Sequence, residues 1–214
     1  MKDSKTENRA VFLLKAPYFQ IADTMRTKHG WVTYGYSVQE LNDHLTRGMS
    51  ESLDLFEIME STKNSPIPYD ILDQCSVIED EYNCNLADLI AIDRHMGLGW
   101  VTGGLYPKSR MSTLQYEKHL QLIVTVLRAQ DEFLRRVQPE FVSAGVPGSF
   151  QIATMFLACE KNNIPVYSVT EGRYGVYYYW QTDRTALVPG LPELYQKMKD
   201  DPELKLIGNR SVYL

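Results

Sequence analysis

Residues 140–169 read EFVSAGVPGSFQIATMFLACEKNNIPVYSV, and this stretch decides the fold. Its first five residues, 140–144, form a short apolar run that predicts a buried strand. The apolar run over 152–161 predicts a helix, and 164–169, rich in β-branched residues, predicts a second strand. Strand, helix and strand joined by short turns are typical of a right-handed βαβ unit with parallel strands.

The N-terminal part of the chain shows the same order of elements. A short apolar strand is predicted over 10–15, and Pro17 suits the first turn of a helix over 18–28. Gly30 is placed to end that helix in a left-handed conformation. Aromatic and β-branched residues over 31–36 predict the next strand. The sequence therefore predicts an α/β fold with a mostly parallel sheet.

The middle of the chain is predicted to be mostly helical. Ser112 and Gln115 form a capping-box pattern that precedes a long amphipathic helix, which ends before Pro139. We expect the whole chain, 1–214, to form one domain. The other predicted elements are helices over 50–59, 70–82, 86–96 and 191–199, a loop over 97–107 and a strand over 176–181.

Composition limits the classes of function. The chain carries 27 acidic and 22 basic residues, a formal net charge of -5, which disfavours general nucleic-acid binding because that binding needs a basic face. The three cysteines have no metal-ligand spacing, so no metal site is expected. The N-terminal residues lack the apolar segment of a signal peptide, and no apolar run is long enough to span a membrane. We expect a cytoplasmic protein that is at most peripheral to a membrane.

The turn at 145–149 is the first candidate site. Gly145, Gly148 and Ser149 lie between a strand end and a helix start, where unpaired N–H groups of the first helical turn attract anions and small residues let a ligand approach closely. These residues are therefore candidates for substrate binding. The alternative is an ordinary turn in which Gly148 relieves backbone strain and Ser149 caps the helix.

A second candidate loop follows the strand over 164–169. Glu171 is a candidate catalytic base, Arg173 is a candidate partner for a phosphate or carboxylate, and Tyr174 is a candidate substrate contact. The alternative is a surface ion pair between Glu171 and Arg173, which would contribute little stability.

A third candidate group lies at the end of the helix predicted over 86–96. His95 is a candidate acid or base because a histidine titrates near neutral pH. Asp93 and Arg94 are candidate substrate contacts, or they anchor the following loop by hydrogen bonds. The familiar phosphate-binding motifs, G-x-G-x-x-G and the P-loop, are absent from the sequence.

Three segments together resemble a known family of enzymes. Leu89 to Arg94 (LIAIDR) forms a hydrophobic–Asp–Arg step, and a long helix then leads to a Pro-Glu-Phe-Val step at 139–142. Asn162-Asn163-Ile164-Pro165-Val166 and then Arg173-Tyr174-Gly175 with a run of aromatic residues come next. This order resembles the N-terminal half of bacterial glycosyltransferases that build surface and capsular polysaccharides.

The resemblance implies a Rossmann-like, three-layer domain of the two-domain GT-B architecture. In that architecture the N-terminal domain mainly contacts the carbohydrate acceptor and the second domain holds the nucleotide-sugar donor. We therefore expect this chain to bind an acceptor and no cofactor of its own. We also expect it to be either the N-terminal half of such an enzyme or a stand-alone relative, and a homo-oligomer is compatible with the sequence. The alternatives are a non-catalytic interaction or regulatory domain and an enzyme that acts alone on a small molecule.

Overall fold

The computed structural model of the chain describes residues 7–93, 96, 114–171, 178–182, 196, 197 and 199. Within them, six strands form a single sheet and seven helices surround it. The strands are β1 (Arg9–Leu13), β2 (Val32–Ser37), β3 (Ser52–Asp54), β4 (Phe141–Ala144), β5 (Val166–Glu171) and β6 (Tyr178–Gln181). The helices are α1 (Tyr18–His29), α2 (Asp43–Thr46), α3 (Leu55–Asn64), α4 (Ile71–Tyr82), α5 (Leu86–Ile92), α6 (Tyr116–Val137) and α7 (Phe150–Lys161).

The strand order in the sheet is β3-β2-β1-β4-β5-β6. Strands β1 to β5 run parallel, and β6 pairs antiparallel to β5. This is the order of a Rossmann-like sheet, in which the chain first builds outward from β1 in one direction and then in the other. The structure confirms the predicted α/β, Rossmann-like fold with a mostly parallel sheet.

The alternation of side chains along β1 separates the two faces of the sheet. Val11 and Leu13 belong to the larger core, which α3, α6 and α7 cover. Helices α4 and α5 pack against α6 and α7. Ala10 and Phe12 belong to a smaller cluster that includes Ala22 of α1. Helices therefore cover both faces, and the fold has the three predicted layers.

The region predicted as one helix over 50–59 is instead a strand followed by a helix. Ser52–Asp54 pair with the end of β2, and the Asp54 carboxylate accepts a hydrogen bond from the Glu57 N–H at 2.9 Å, which begins α3. The prediction was wrong because a three-residue edge strand leaves almost no periodic signal. The loop predicted over 97–107 and Ser112 lie outside the described residues, as does most of the predicted helix over 191–199.

Within the part of the chain that the structure describes, no helix combines the length and apolarity required to cross a membrane.

A network of polar side chains around Asp131 joins α6 to the end of α7. The Asp131 carboxylate accepts hydrogen bonds from Asn162 at 2.6 Å and Lys161 at 3.2 Å, and it pairs with Arg135 at 2.6 Å. Desolvation raises the pKa of Asp131, but hydrogen bonds from Asn162, Tyr82 and Lys161 outweigh it, so the net pKa is lowered. The network therefore stabilises the fold only while Asp131 is ionised.

We predict that Asp131→Asn reduces the amount by which the free energy of unfolding falls between pH 7 and pH 3. Because the folded-state pKa of Asp131 is below its unfolded value, its contribution is present above about pH 4 and is lost as pH falls through the folded pKa. Between pH 7 and pH 3 the unmodified chain should lose up to about 1 kcal/mol more than the variant in urea unfolding. Glu132→Gln, at the exposed neighbouring position on α6, is the control. An equal acid response in the Asp131→Asn variant and the unmodified chain would contradict the prediction.

Candidate functional site

The candidate site is a cleft at the point where the strand order of the sheet reverses. The chain leaves β1 towards α1 on one face and leaves the neighbouring β4 towards α7 on the other. In open α/β sheets, ligands bind in the crevice that this divergence creates at the carboxyl ends of the strands. Here the crevice has a volume of about 390 Å³, and residues at the ends of β1, β2, β4 and β5 line it. We call it the strand-end cleft.

The α1 wall of the strand-end cleft contains Lys15, Pro17 and Tyr18. Pro17 has no N–H group, and the Phe19 N–H donates to the Lys15 carbonyl at 3.3 Å. The start of α1 therefore offers few of the backbone donors that hold a pyrophosphate in dinucleotide-binding folds. The Tyr18 hydroxyl donates to the Val169 carbonyl at 3.1 Å and so ties α1 to β5 across the cleft.

The α7 wall contains Gly145, Gly148 and Ser149, so the structure brings these three predicted site residues together. Behind them, Asp93 is 1% exposed. Its Oδ2 accepts a hydrogen bond from the Phe150 N–H, and its Oδ1 accepts one from the Met96 N–H, both at 3.0 Å. Asp93 is therefore a positioning residue that fixes the start of α7, and direct contact between Asp93 and a substrate stays a prediction.

The protein's own carboxylate, from Asp93, accepts the N–H of the first residue of α7, Phe150. A carboxylate at a helix N-terminus interacts favourably with the helix dipole. One of the N–H groups that the sequence analysis expected to attract an anion therefore already has an acceptor within the protein. Anion binding by the rest of this turn stays a prediction.

Ser149 also differs from its expected role as a cap. It occupies the N-cap position of α7, yet its side chain makes no capping hydrogen bond. Asp93 serves in its place, and the Ser149 residue lines the strand-end cleft. The hydroxyl is therefore placed where a ligand would bind and is not used to begin the helix.

We predict that Ser149→Ala leaves the stability of the fold nearly unchanged. Loss of an N-cap side chain that makes its hydrogen bond costs about 1 kcal/mol, but Ser149 makes none. Asn85→Ala is the matched control, because the Asn85 side chain accepts from the Ala87 N–H at 2.8 Å and begins α5. Urea unfolding should show a loss of about 1 kcal/mol for Asn85→Ala and less than about 0.5 kcal/mol for Ser149→Ala. Equal losses would show that Ser149 caps α7 in solution.

The two glycines of the turn differ in what a side chain would meet. A Cβ at Gly145 would lie 3.2 Å from Leu13 Cδ2, whereas a Cβ at Gly148 would meet nothing closer than the Val146 carbonyl oxygen at 3.8 Å. Neither glycine has a positive φ, so the expected relief of backbone strain at Gly148 is wrong. The absence of a side chain at Gly148 instead leaves space beside Ser149.

Two buried titratable groups lie close to residues of the strand-end cleft. Tyr36, near Tyr18 and Gly145, is fully buried. Desolvation raises the pKa of Tyr36 well above its ordinary value; Cys159 and Tyr18 raise it further, and the Gly145 backbone lowers it. Burial also raises the pKa of the Cys159 thiol. Both groups are therefore uncharged at neutral pH.

Of the other predicted site residues, the structure describes only the backbone of Glu171. The sequence analysis placed Glu171 in a loop. Its backbone instead ends strand β5 and pairs with Tyr178 of β6. The roles assigned to its side chain stay predictions. Arg94, His95, Arg173 and Tyr174 lie outside the described residues.

A larger cleft lies elsewhere, between α4, α5 and α7. Its volume is about 690 Å³, and its lining includes Glu79, Asp80 and Asp88. Glu79 accepts a hydrogen bond from the Leu86 N–H at 2.8 Å and is thus part of the connection between two helices. The lining reaches Pro147, in the turn that follows β4, but most of it comes from α4, α5 and the turn that joins them, and we do not assign this cleft a ligand. Among the described residues, no group of three histidine, cysteine or acidic side chains is placed to hold a metal ion.

The fold and the cleft together define the class: a Rossmann-like α/β protein with a cleft at the reversal point of its sheet. Comparison of the chain with protein-family models, curated proteins and solved structures found no match.

Sequence reasoning missed Lys15 and Tyr18 as residues of the site. Lys15 lies two residues after β1, and Tyr18 is the first residue of α1. The carboxyl end of the first strand is a favoured ligand position in such folds, but the sequence lacks the G-x-G-x-x-G motif that would mark it.

Proposed function

We propose that the chain is the acceptor-side domain of a glycosyltransferase that builds a surface or capsular polysaccharide, and that the strand-end cleft binds the carbohydrate acceptor. The observation that carries the proposal is the cleft itself, which lies at the reversal point of a Rossmann-like sheet with Gly145, Gly148 and Ser149 on one wall. A cytoplasmic location belongs to the same proposal, since nucleotide-sugar donors are used there.

The size and chemistry of the cleft support a carbohydrate. A volume of about 390 Å³ lies within the range of small-molecule sites and suits a ligand of monosaccharide to disaccharide size. The Ser149 hydroxyl and nearby backbone groups offer hydrogen bonds to sugar hydroxyls. Pro17, Val38 and Ile152 offer apolar surface to the C–H faces of a sugar ring.

Titration of the chain with neutral saccharides, followed by saturation-transfer NMR, tests the proposal. The variant Gly148→Leu should fold, since a Cβ there has space and φ is not positive, but its side chain should fill the cleft and weaken binding at least about tenfold. Ala87→Leu, at an exposed position on α5, is the control for added bulk. Binding that is unaffected by Gly148→Leu would contradict the site.

The proposal also predicts that this domain binds the acceptor and not the nucleotide-sugar donor. A nucleotide-sugar should not displace the bound saccharide, because the resemblance assigns the donor to a second domain. Competition between the two ligands in the same titration would indicate a donor site and would contradict the acceptor assignment.

A second candidate function is a non-catalytic domain that binds a small molecule and regulates or recruits a partner. It is favoured by the role of Asp93, whose carboxylate beside the cleft is engaged by two backbone N–H groups and holds the structure together. Under this candidate, the saccharide should emerge unchanged from a mixture of the chain with a nucleotide-sugar. A glycosylated product detected by mass spectrometry would contradict it.

A further inference from the structure

The strand-end cleft carries a charge of opposite sign to that of the whole chain. Lys15 is the one residue with a formal charge among the described residues that line it, whereas the chain has a net charge of -5. The Lys15 side chain is exposed and forms no ion pair with any described residue. Its backbone is fixed, because its N–H donates to the Leu13 carbonyl at 2.9 Å and its carbonyl accepts from Phe19. Lys15 therefore lines the cleft from a fixed backbone position, with its side chain open to solvent.

The α7 wall of the cleft offers no charged group among the described residues. The Asp93 carboxylate at the Phe150 N–H is 1% exposed and does not line the cleft. The Ser149 hydroxyl and the space beside Gly148 are suited to uncharged hydroxyl groups. The two walls therefore select different parts of a ligand.

We infer that the carbohydrate bound in the strand-end cleft is an acidic one, with its anionic group at the Lys15 ammonium and its neutral hydroxyls at Ser149. This inference rests on the proposed function and specifies the substrate class. The anionic group is a carboxylate, as in a uronic acid, or a phosphate ester, since both form charge-assisted hydrogen bonds with an ammonium group. The orientation follows from the two walls of the cleft, since Lys15 on the α1 wall is charged and Ser149 on the α7 wall offers an uncharged hydroxyl.

Calorimetric titration with three matched sugars tests the inference. Glucose is the neutral probe, glucuronate carries a carboxylate, and glucose 6-phosphate carries a phosphate ester. The two acidic sugars should bind about tenfold more tightly than glucose at low salt, and the difference should shrink as salt is added. Whichever acidic sugar binds more tightly identifies the source of the anionic group, and either result supports the inference.

Variants of Lys15 assign the preference to one side chain. Lys15→Gln should bind all three sugars with similar affinity, and Lys15→Arg should restore the preference for the acidic sugars. Because Lys15 is exposed, neither change should alter thermal unfolding.

The possible failures are distinguishable. Equal binding of all three sugars by the unmodified chain would overturn this inference while leaving the carbohydrate site in place. A preference that survives Lys15→Gln would overturn the assignment to Lys15. Binding of none of the three sugars would overturn the inference and the proposed function together.

Discussion

Replacement of Asp93 by alanine should lower the free energy of unfolding by about 2–5 kcal/mol. The substitution removes the acceptor for two buried N–H groups, those of Met96 and Phe150. Each buried donor left without a partner costs about 1–3 kcal/mol. The change also frees the start of α7, so the α7 wall of the strand-end cleft should lose its order. Urea unfolding of the purified chain measures the effect.

Two further variants make the Asp93 prediction specific. Asp88→Ala removes the same type of side chain from an exposed position in the first turn of α5 and should cost less than about 1 kcal/mol. Asp93→Asn keeps one acceptor oxygen and should give an intermediate loss. If Asp93→Ala costs no more than Asp88→Ala, then Asp93 does not hold α7 in the way described.

The second large effect is expected at Phe150, the first residue of α7. Its side chain is fully buried in the larger core, and truncation of a buried phenylalanine to alanine costs about 3–5 kcal/mol through lost burial and a residual cavity. We therefore expect Phe150→Ala to lower the free energy of unfolding by that amount in urea. The start of α7 would then keep its hydrogen bond to Asp93 but lose its largest buried side chain.

The control for Phe150 is an aromatic side chain that is fully exposed to solvent. Tyr69 is 102% exposed, so Tyr69→Ala should change stability by less than about 0.5 kcal/mol. A loss at Phe150 comparable to that at Tyr69 would mean that the start of α7 is not part of the core.

The parts of the fold that could be predicted depend on local chemistry. Gly30 was predicted to end α1 in a left-handed conformation, and its φ is 68°. The βαβ unit over 140–169 was predicted because its apolar runs have the lengths of a strand and a helix, and it is present as β4, α7 and β5. In each case the determining residues are neighbours in sequence.

The parts that could not be predicted depend on contacts between distant residues. Asp93 caps α7 from 57 positions earlier in the chain, and a sequence pattern shows only that Ser149 stands at the usual capping position. In the same way, Lys15 becomes a site residue because β1 and β4 are neighbours in the sheet. Strand order is a property of the whole fold, so neither role was visible in the local sequence.

Methyl NMR of the full chain with glucuronate or glucose 6-phosphate tests the central claim most directly. We predict that the shifted methyl signals belong to residues lining the strand-end cleft, which are Leu13, Val38, Val146, Ile152 and Val169. The methyl groups of Leu89, Ile92 and Leu157, which line the larger cleft between α4, α5 and α7, should not move. Shifts confined to that second set, or no shifts with either sugar, would contradict the assignment of the strand-end cleft as the carbohydrate site.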